Sequence, residues 1–96
     1  MAAYVIGRLQ VRDASWLEKY RATVPSIVAR HGGVYRARGG KMETLEGNAP
    51  LPSSFVILEF PTMDEARGFY RDPEYQPFIK LRQTGSDLDM VLVEGL

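Results

Sequence analysis

Arg38 stands directly before Gly39-Gly40, with Arg36 two residues upstream. An arginine beside paired glycines can present its planar fork next to accessible backbone N–H groups. That combination suits a carboxylate, phosphate or enolate. Glu59 lies within the apolar run Phe55 to Phe60 and by alternation shares a face with Phe55 and Ile57. A carboxylate there is costly unless paired, and burial raises its pKa toward general-base territory. His31 is the single imidazole, a candidate general base or haem ligand. Tyr20, Tyr75 and Trp16 are candidates to line a cavity, where tyrosine hydroxyls orient a carbonyl or phenol. Each also has a plainer role. Arg38 and Glu59 can pair to tie strands or subunits together, His31 can end a helix, and the aromatic residues can fill a core.

Other chemistries lack their residues. One His and no Cys leave only carboxylates for a metal, and no calcium-loop pattern occurs. There is no G-x-S-x-G element for a serine nucleophile. Gly39-Gly-Lys41 fails the phosphate-loop pattern, because Tyr35 stands where its first glycine belongs and Met42 follows the lysine. Charge is balanced at 12 basic and 12 acidic residues, which argues against nucleic acid and anionic membranes as partners. The N-terminal residues show neither a basic leader nor a long apolar core, so no signal peptide or membrane span is expected and a cytoplasmic protein is.

The chain of 96 residues suffices for one domain, residues 1–96. Tyr4 to Val11 alternates as a strand, with Val5, Gly7, Leu9 and Val11 on one face. A helix follows, capped by Asp13 or by the box Ser15-Trp-Leu-Glu18, and carries Leu17, Tyr20, Val24, Ile27, Val28 and His31 at helical spacing. Pro25 should kink it, and Gly32 or Gly33 should end it. Val34 to Arg38 is a second strand, placing Val34, Arg36 and Arg38 on one face and Tyr35 and Ala37 on the other. Gly39-Gly40 then makes either a hairpin or a bend within one long strand that resumes from Lys41 to Glu46. The bend is the expectation, because the loop Gly47 to Ser53 already supplies a turn. Ser54 to Phe60 reads as a buried strand. Thr62-Met-Asp-Glu65 caps a helix that Asp72-Pro73 restarts, with Tyr75, Phe78, Ile79 and Arg82 in line on the second piece. Leu88 to Glu94 is the last strand. The order β-α-β-β-α-β predicts an α+β, ferredoxin-like fold with an antiparallel sheet and helices on one face. Its last two strands are apolar on both faces, so a second copy of the chain is expected to cover the open one.

Several short motifs occur together in this order. They are Ala3-Tyr-Val-Ile6, Glu18-Lys-Tyr-Arg21, Gly32-Gly-Val-Tyr-Arg-Ala-Arg-Gly-Gly40, Thr44-Leu-Glu-Gly47, Leu58-Glu-Phe-Pro61, Tyr70-Arg-Asp-Pro-Glu-Tyr-Gln76 and Val91-Leu-Val-Glu-Gly95. From about Ala2 to Gly95 the chain resembles domain-of-unknown-function family 1330, within the dimeric α/β barrel superfamily. The resemblance implies a homodimer whose two four-stranded sheets face each other as a barrel. It implies no reaction, since the wider superfamily resembles a mixture of cofactor-free monooxygenases, haem enzymes, isomerases and chlorite-degrading proteins.

Two functional readings follow. In one, the protein is a cofactor-independent enzyme or binder of a small anionic or carbonyl compound. Arg38, Tyr20 and Tyr75 would hold that ligand, Glu59 or His31 would move a proton, and no metal or other cofactor would take part. In the other, it is a structural or regulatory homodimer without catalytic activity. A cavity of a few hundred Å³ with Arg38 pointing in favours the first, and a fully paired Arg38 with no cavity favours the second. Haem binding would need His31 to face a large apolar cleft.

Overall fold

The computed structural model describes all of residues 1–96. Four strands form one antiparallel sheet in the order β2-β3-β1-β4: β1 Ala3–Val11, β2 Val34–Arg38, β3 Ser54–Phe60 and β4 Ser86–Glu94. Three helices cover one face: α1 Leu17–Arg30, α2 Met63–Arg71 and α3 Gln76–Gln83. This is the expected ferredoxin-like arrangement, with its second helix broken in two.

Register explains the two faces. Val5 pairs with Leu58 and Leu92, and Gly7 with Val56 and Met90, so these side chains all point toward the helices. There they meet Val24, Ile27 and Val28 of α1, Ala66 and Phe69 of α2, and Tyr75 and Ile79 beyond the break. Phe60, Phe69 and Tyr75 stack in a row at centroid separations of 5.4 and 4.5 Å. Burying each such ring contributes about 1.5–3 kcal/mol. Tyr4, Ile6, Phe55, Ile57, Val91 and Val93 take the opposite face, which no helix covers.

The helix ends follow their local chemistry. Thr62 Oγ1 accepts the Glu65 backbone N–H at 3.1 Å, the expected N-cap. Trp16 occupies the start of α1 without a side-chain cap, and Asp13 instead accepts the Ser15 N–H in a local turn. Pro25 lies inside α1 without ending it. Gly32, at φ +76°, terminates the helix in the left-handed region. Asp72 does not cap α3 directly. It accepts the Glu74 N–H in the turn between helices, and α3 begins at Gln76 with Pro77 in its first turn.

Two strand expectations are corrected. Residues 41–46 form no strand. Gly39 and Gly40 both take positive φ, at +72° and +85°, and the chain runs to β3 as a long irregular connection. The alternation in β2 also breaks. Val34 pairs with Glu59 and Tyr35 with Leu58, but the next pairs are Ala37 with Ile57 and Arg38 with Val56. Arg36 is the extra residue of a β-bulge. Arg38 therefore changes face and joins Tyr35 on the helix side, while Arg36 stays on the open side.

Candidate functional site

Between α1, α3 and the covered face of the sheet lies a cavity of about 280 Å³. The bulge turns Arg38 into its lining, and its guanidinium lies over the Tyr35 ring at 4.8 Å. Helical spacing brings Tyr20 from α1, and the turn before α3 brings Tyr75. Their hydroxyls meet at 2.6 Å. Arg82 arrives from the buried stripe of α3, one turn beyond Ile79, with its guanidinium 6.0 Å from the Tyr20 ring centroid. Trp16 packs edge-on against Tyr20 at 5.3 Å. Arg82 also borders a more open hollow of about 380 Å³ between α2, α3 and β4.

The polar part of the lining is one-sided. It comprises Arg21, Arg38, Arg82, Tyr20, Tyr35, Tyr75, Trp16, Ser53 and Ser54, with no Asp, Glu or His. None of the three arginines belongs to any of the protein's ion pairs. Arg82 is only 5 % exposed, and its Nε–H has no hydrogen-bond partner. The indole N–H of Trp16 is likewise buried without an acceptor. Burial, reinforced by Tyr75, pushes the Tyr20 hydroxyl well above the usual phenol range. Burial raises Tyr35 too, against the opposing pull of Arg38. Tyr20 and Tyr35 therefore stay protonated near neutrality. The arginines and the Tyr20–Tyr75 pair together offer several donors and no charged acceptor, an arrangement complementary to an oxyanion or carbonyl oxygen.

Two candidate residues fall elsewhere. Glu59 is on the open face, where its carboxylate takes Arg36 Nε at 3.2 Å. The bulge gives it Arg36 as partner in place of Arg38. His31 follows the last residue of α1, and its Nε2 lies 2.8 Å from Asp72 Oδ2. The same Asp72 oxygen accepts Arg30 at 2.8 Å, and Arg30 also reaches Glu74 at 2.9 Å. This cluster ties the end of α1 to the turn between α2 and α3. The His31 bond, the Glu74 N–H and Arg30 together hold the Asp72 carboxyl down at about 2. Neither Glu59 nor His31 lines the cavity. Arg38, Tyr20 and Tyr75 do. Arg21 and Arg82 join them without having been singled out. The signal for Arg82 was present: an arginine in register with Tyr75 and Ile79 on an apolar helix stripe. No group of three His, Asp or Glu stands where it could hold a metal, and no helix is long and apolar enough to cross a membrane.

The fold is shared with solved structures. A protein of unknown function from Rhodopseudomonas palustris, RPA0582, superposes with a TM-score of 0.82 at 20 % identity, over 99 % of this chain and 82 % of that one. SnoaB, a cofactor-independent oxygenase from Streptomyces nogalater, superposes at 0.67 and 16 % identity, over 99 % and 93 % of the two chains. A dimeric protein of unknown function with a ferredoxin-like fold from Bacteroides fragilis gives 0.55 at 18 % identity, over 98 % and 96 %. At these identities the likeness is one of fold. No curated relative matches the sequence. The family described as Domain of unknown function (DUF1330) matches residues 2–96, and the chain belongs to it.

Proposed function

We propose that this protein binds a small organic anion or carbonyl compound in the cavity between helices and sheet and stabilises the oxygen that carries its charge. One observation carries the reading: three arginines line the cavity, one of them buried, and none is paired with a carboxylate. A buried cation without an anion is costly, and a ligand that brings the anion removes the cost. Oriented donors in a largely apolar enclosure also favour an enolate or phenolate over its neutral form. A cofactor-independent reaction on the substrate's own anion suits such a site, and the fold neighbour SnoaB is a cofactor-independent oxygenase. Glu59 and His31 take no part in this reading, since one lies behind the sheet and the other holds Asp72.

The active unit in this reading is a homodimer of the α/β-barrel kind, closed over the open face. Ile6, Val34, Val91 and Val93 are all exposed there, Val91 at 61 %. An apolar face of this kind marks an interface, and the Bacteroides fragilis neighbour is dimeric. Light scattering at micromolar concentration should give the mass of two chains for the wild type and of one for Val91→Glu. A single-chain mass for the wild type removes the dimer.

Ligand binding is tested by thermal shift against small carboxylates, phenols and lactones, with Arg38→Ala in parallel. A ligand at 100 times its Kd should stabilise the wild type by about 2.7 kcal/mol and leave Arg38→Ala unshifted. If no compound shifts the wild type and Arg38→Ala merely melts earlier, Arg38 is a structural tie and the reading fails.

A further inference from the structure

The two ends of the cavity differ. β2 and β4 are the outer strands of the sheet, on opposite sides of β3 and β1. Arg38 belongs to the β2 edge, is exposed, and lies flat on Tyr35. Arg82 belongs to α3, which packs on β4, and is buried beside Tyr20 and Tyr75. Between them the wall is apolar, with Val5, Val24, Val56 and Leu58.

At the inner end the hydrogens can be counted. Tyr20 and Tyr75 hold two hydroxyl protons, and one of them spans the 2.6 Å between the oxygens. Neither hydroxyl bonds any other protein acceptor, so the second proton is free to donate. The Nε–H of Arg82 has no protein acceptor either, and its guanidinium faces both tyrosine hydroxyls. An oxygen entering beside them gives this donor cluster the acceptor it lacks. At the outer end a solvent-reached fork suits a carboxylate, which keeps part of its hydration there. The reverse placement would strip a full carboxylate of water at the buried end, at greater cost than a phenol or carbonyl oxygen.

Resting on the reading that the cavity takes an organic anion, we propose that its ligand has two ends: an aromatic or enolic carboxylic acid. Its carboxylate pairs with Arg38, and its phenol, enol or carbonyl oxygen lies against Arg82 and the Tyr20–Tyr75 pair. A cavity of about 280 Å³ is at the small end of ligand pockets, which run from roughly 300 to 1,000 Å³. It has room for one or two rings between these groups.

Trp16, the single tryptophan, lines the cavity, so quenching of its fluorescence reads occupancy. The probes are 4-hydroxy-3-nitrobenzoate, which has both ends, and 3-nitrobenzoate and 2-nitrophenol, which have one each. The two-ended probe should bind at least about tenfold more tightly than either one-ended probe. Arg38→Gln should erase its advantage over 2-nitrophenol. Arg82→Gln and Tyr75→Phe should erase its advantage over 3-nitrobenzoate while leaving 3-nitrobenzoate itself within about twofold. Bound to the wild type, its yellow phenolate should persist to lower pH than in free solution, and this shift should vanish in Arg82→Gln. Melting curves establish which variants fold, and Tyr20→Phe replaces any inner-end variant that does not. One-ended probes that bind as tightly as the two-ended one, or variants that fail to separate the ends, overturn the two-ended assignment and leave the anion reading standing. No quenching by any probe at millimolar concentration overturns both.

Discussion

On the helix-covered face of the sheet Arg38 lies over Tyr35 with no carboxylate near it, while on the open face Arg36, two residues away, is held by Glu59 at 3.2 Å. The two arginines share a strand and a residue type. What separates them is one inserted residue, which sends their side chains to opposite sides. On the open face Arg36 and Arg8 both have acceptors, in Glu59 and the Pro50 carbonyl, while apolar side chains are left exposed. The covered face buries its apolar side chains and leaves its arginines without a carboxylate. A face whose arginines have acceptors but whose apolar side chains are bare wants a macromolecular cover, and one with the reverse shortfall wants a small counter-charge.

The largest effect should separate the faces by burial. Phe60→Ala removes a fully buried ring from the core row with Phe69 and Tyr75, and should cost about 3–5 kcal/mol in urea unfolding. That cost should not depend on protein concentration. Val91→Ala on the open face should cost little at high dilution and more as concentration rises, because in the proposed homodimer a second chain would bury Val91. Equal, concentration-independent costs would erase the distinction between the faces.

A smaller effect, of opposite sign, belongs to the unbalanced charge. Arg82→Met replaces a buried cation that has no carboxylate partner with an apolar chain of similar length, and should raise the stability of the ligand-free protein by about 1 kcal/mol. The variant should also lose the stabilisation that a carboxylate or phenolate ligand gives the wild type. If Arg82→Met is destabilised instead, the tyrosine hydroxyls already satisfy the guanidinium, and the cavity has no need of an anion.

Much of this arrangement was legible in the chain. Alternation in β1, the Thr62 cap and the helical spacing of Tyr20 through Val28 follow from local geometry, and each is found where expected. Tyr20 and Tyr75 were candidates for the same cavity, and they meet there. The bulge was not legible. Tyr35-Arg-Ala-Arg38 alternates without any glycine or proline to mark an extra residue, and the break exists only in the pairing with β3. That hidden step moved Arg38 into the cavity and exchanged the partner of Glu59. Residues 41–46 read as a strand because Met42 and Leu45 are apolar, yet Leu45 is exposed and no strand pairs with this segment. Arg82 lines up with Tyr75 and Ile79 in the sequence yet does not stand out as a site residue, because an arginine in a helix is normally solvated and its burial depends on α3 packing against both β4 and α1.

The Asp72 cluster adds a pH dependence that belongs to neither face. Its carboxyl titrates at about 2 when folded, against an ordinary value of 3.8. The stability it contributes is therefore complete above about pH 4 and is lost as pH falls from about 4 to about 2. Asp72→Asn should remove up to one proton from the acid limb of the stability curve. The difference between wild type and variant should shrink steadily across that window. A difference that stays constant from pH 5 to pH 2, measured by urea unfolding at each pH, would mean that His31 and Arg30 do not favour the ionised carboxylate.

The smallest effect lies in the pair that the bulge created. Arg36 and Glu59 are both partly exposed, and surface pairs of this kind contribute about 0.2–1 kcal/mol. In dilute protein, Arg36→Met, Glu59→Gln and the double variant should show a coupling of no more than a few tenths of a kcal/mol, weakened further by salt. A second chain over the open face would take the same pair out of water. Breaking half of it would then strand a charge and cost several times as much. The coupling should consequently grow between dilute and concentrated protein, and resist salt once it has grown. If it is small and salt-sensitive at every concentration, water still reaches the pair and nothing closes over this part of the sheet.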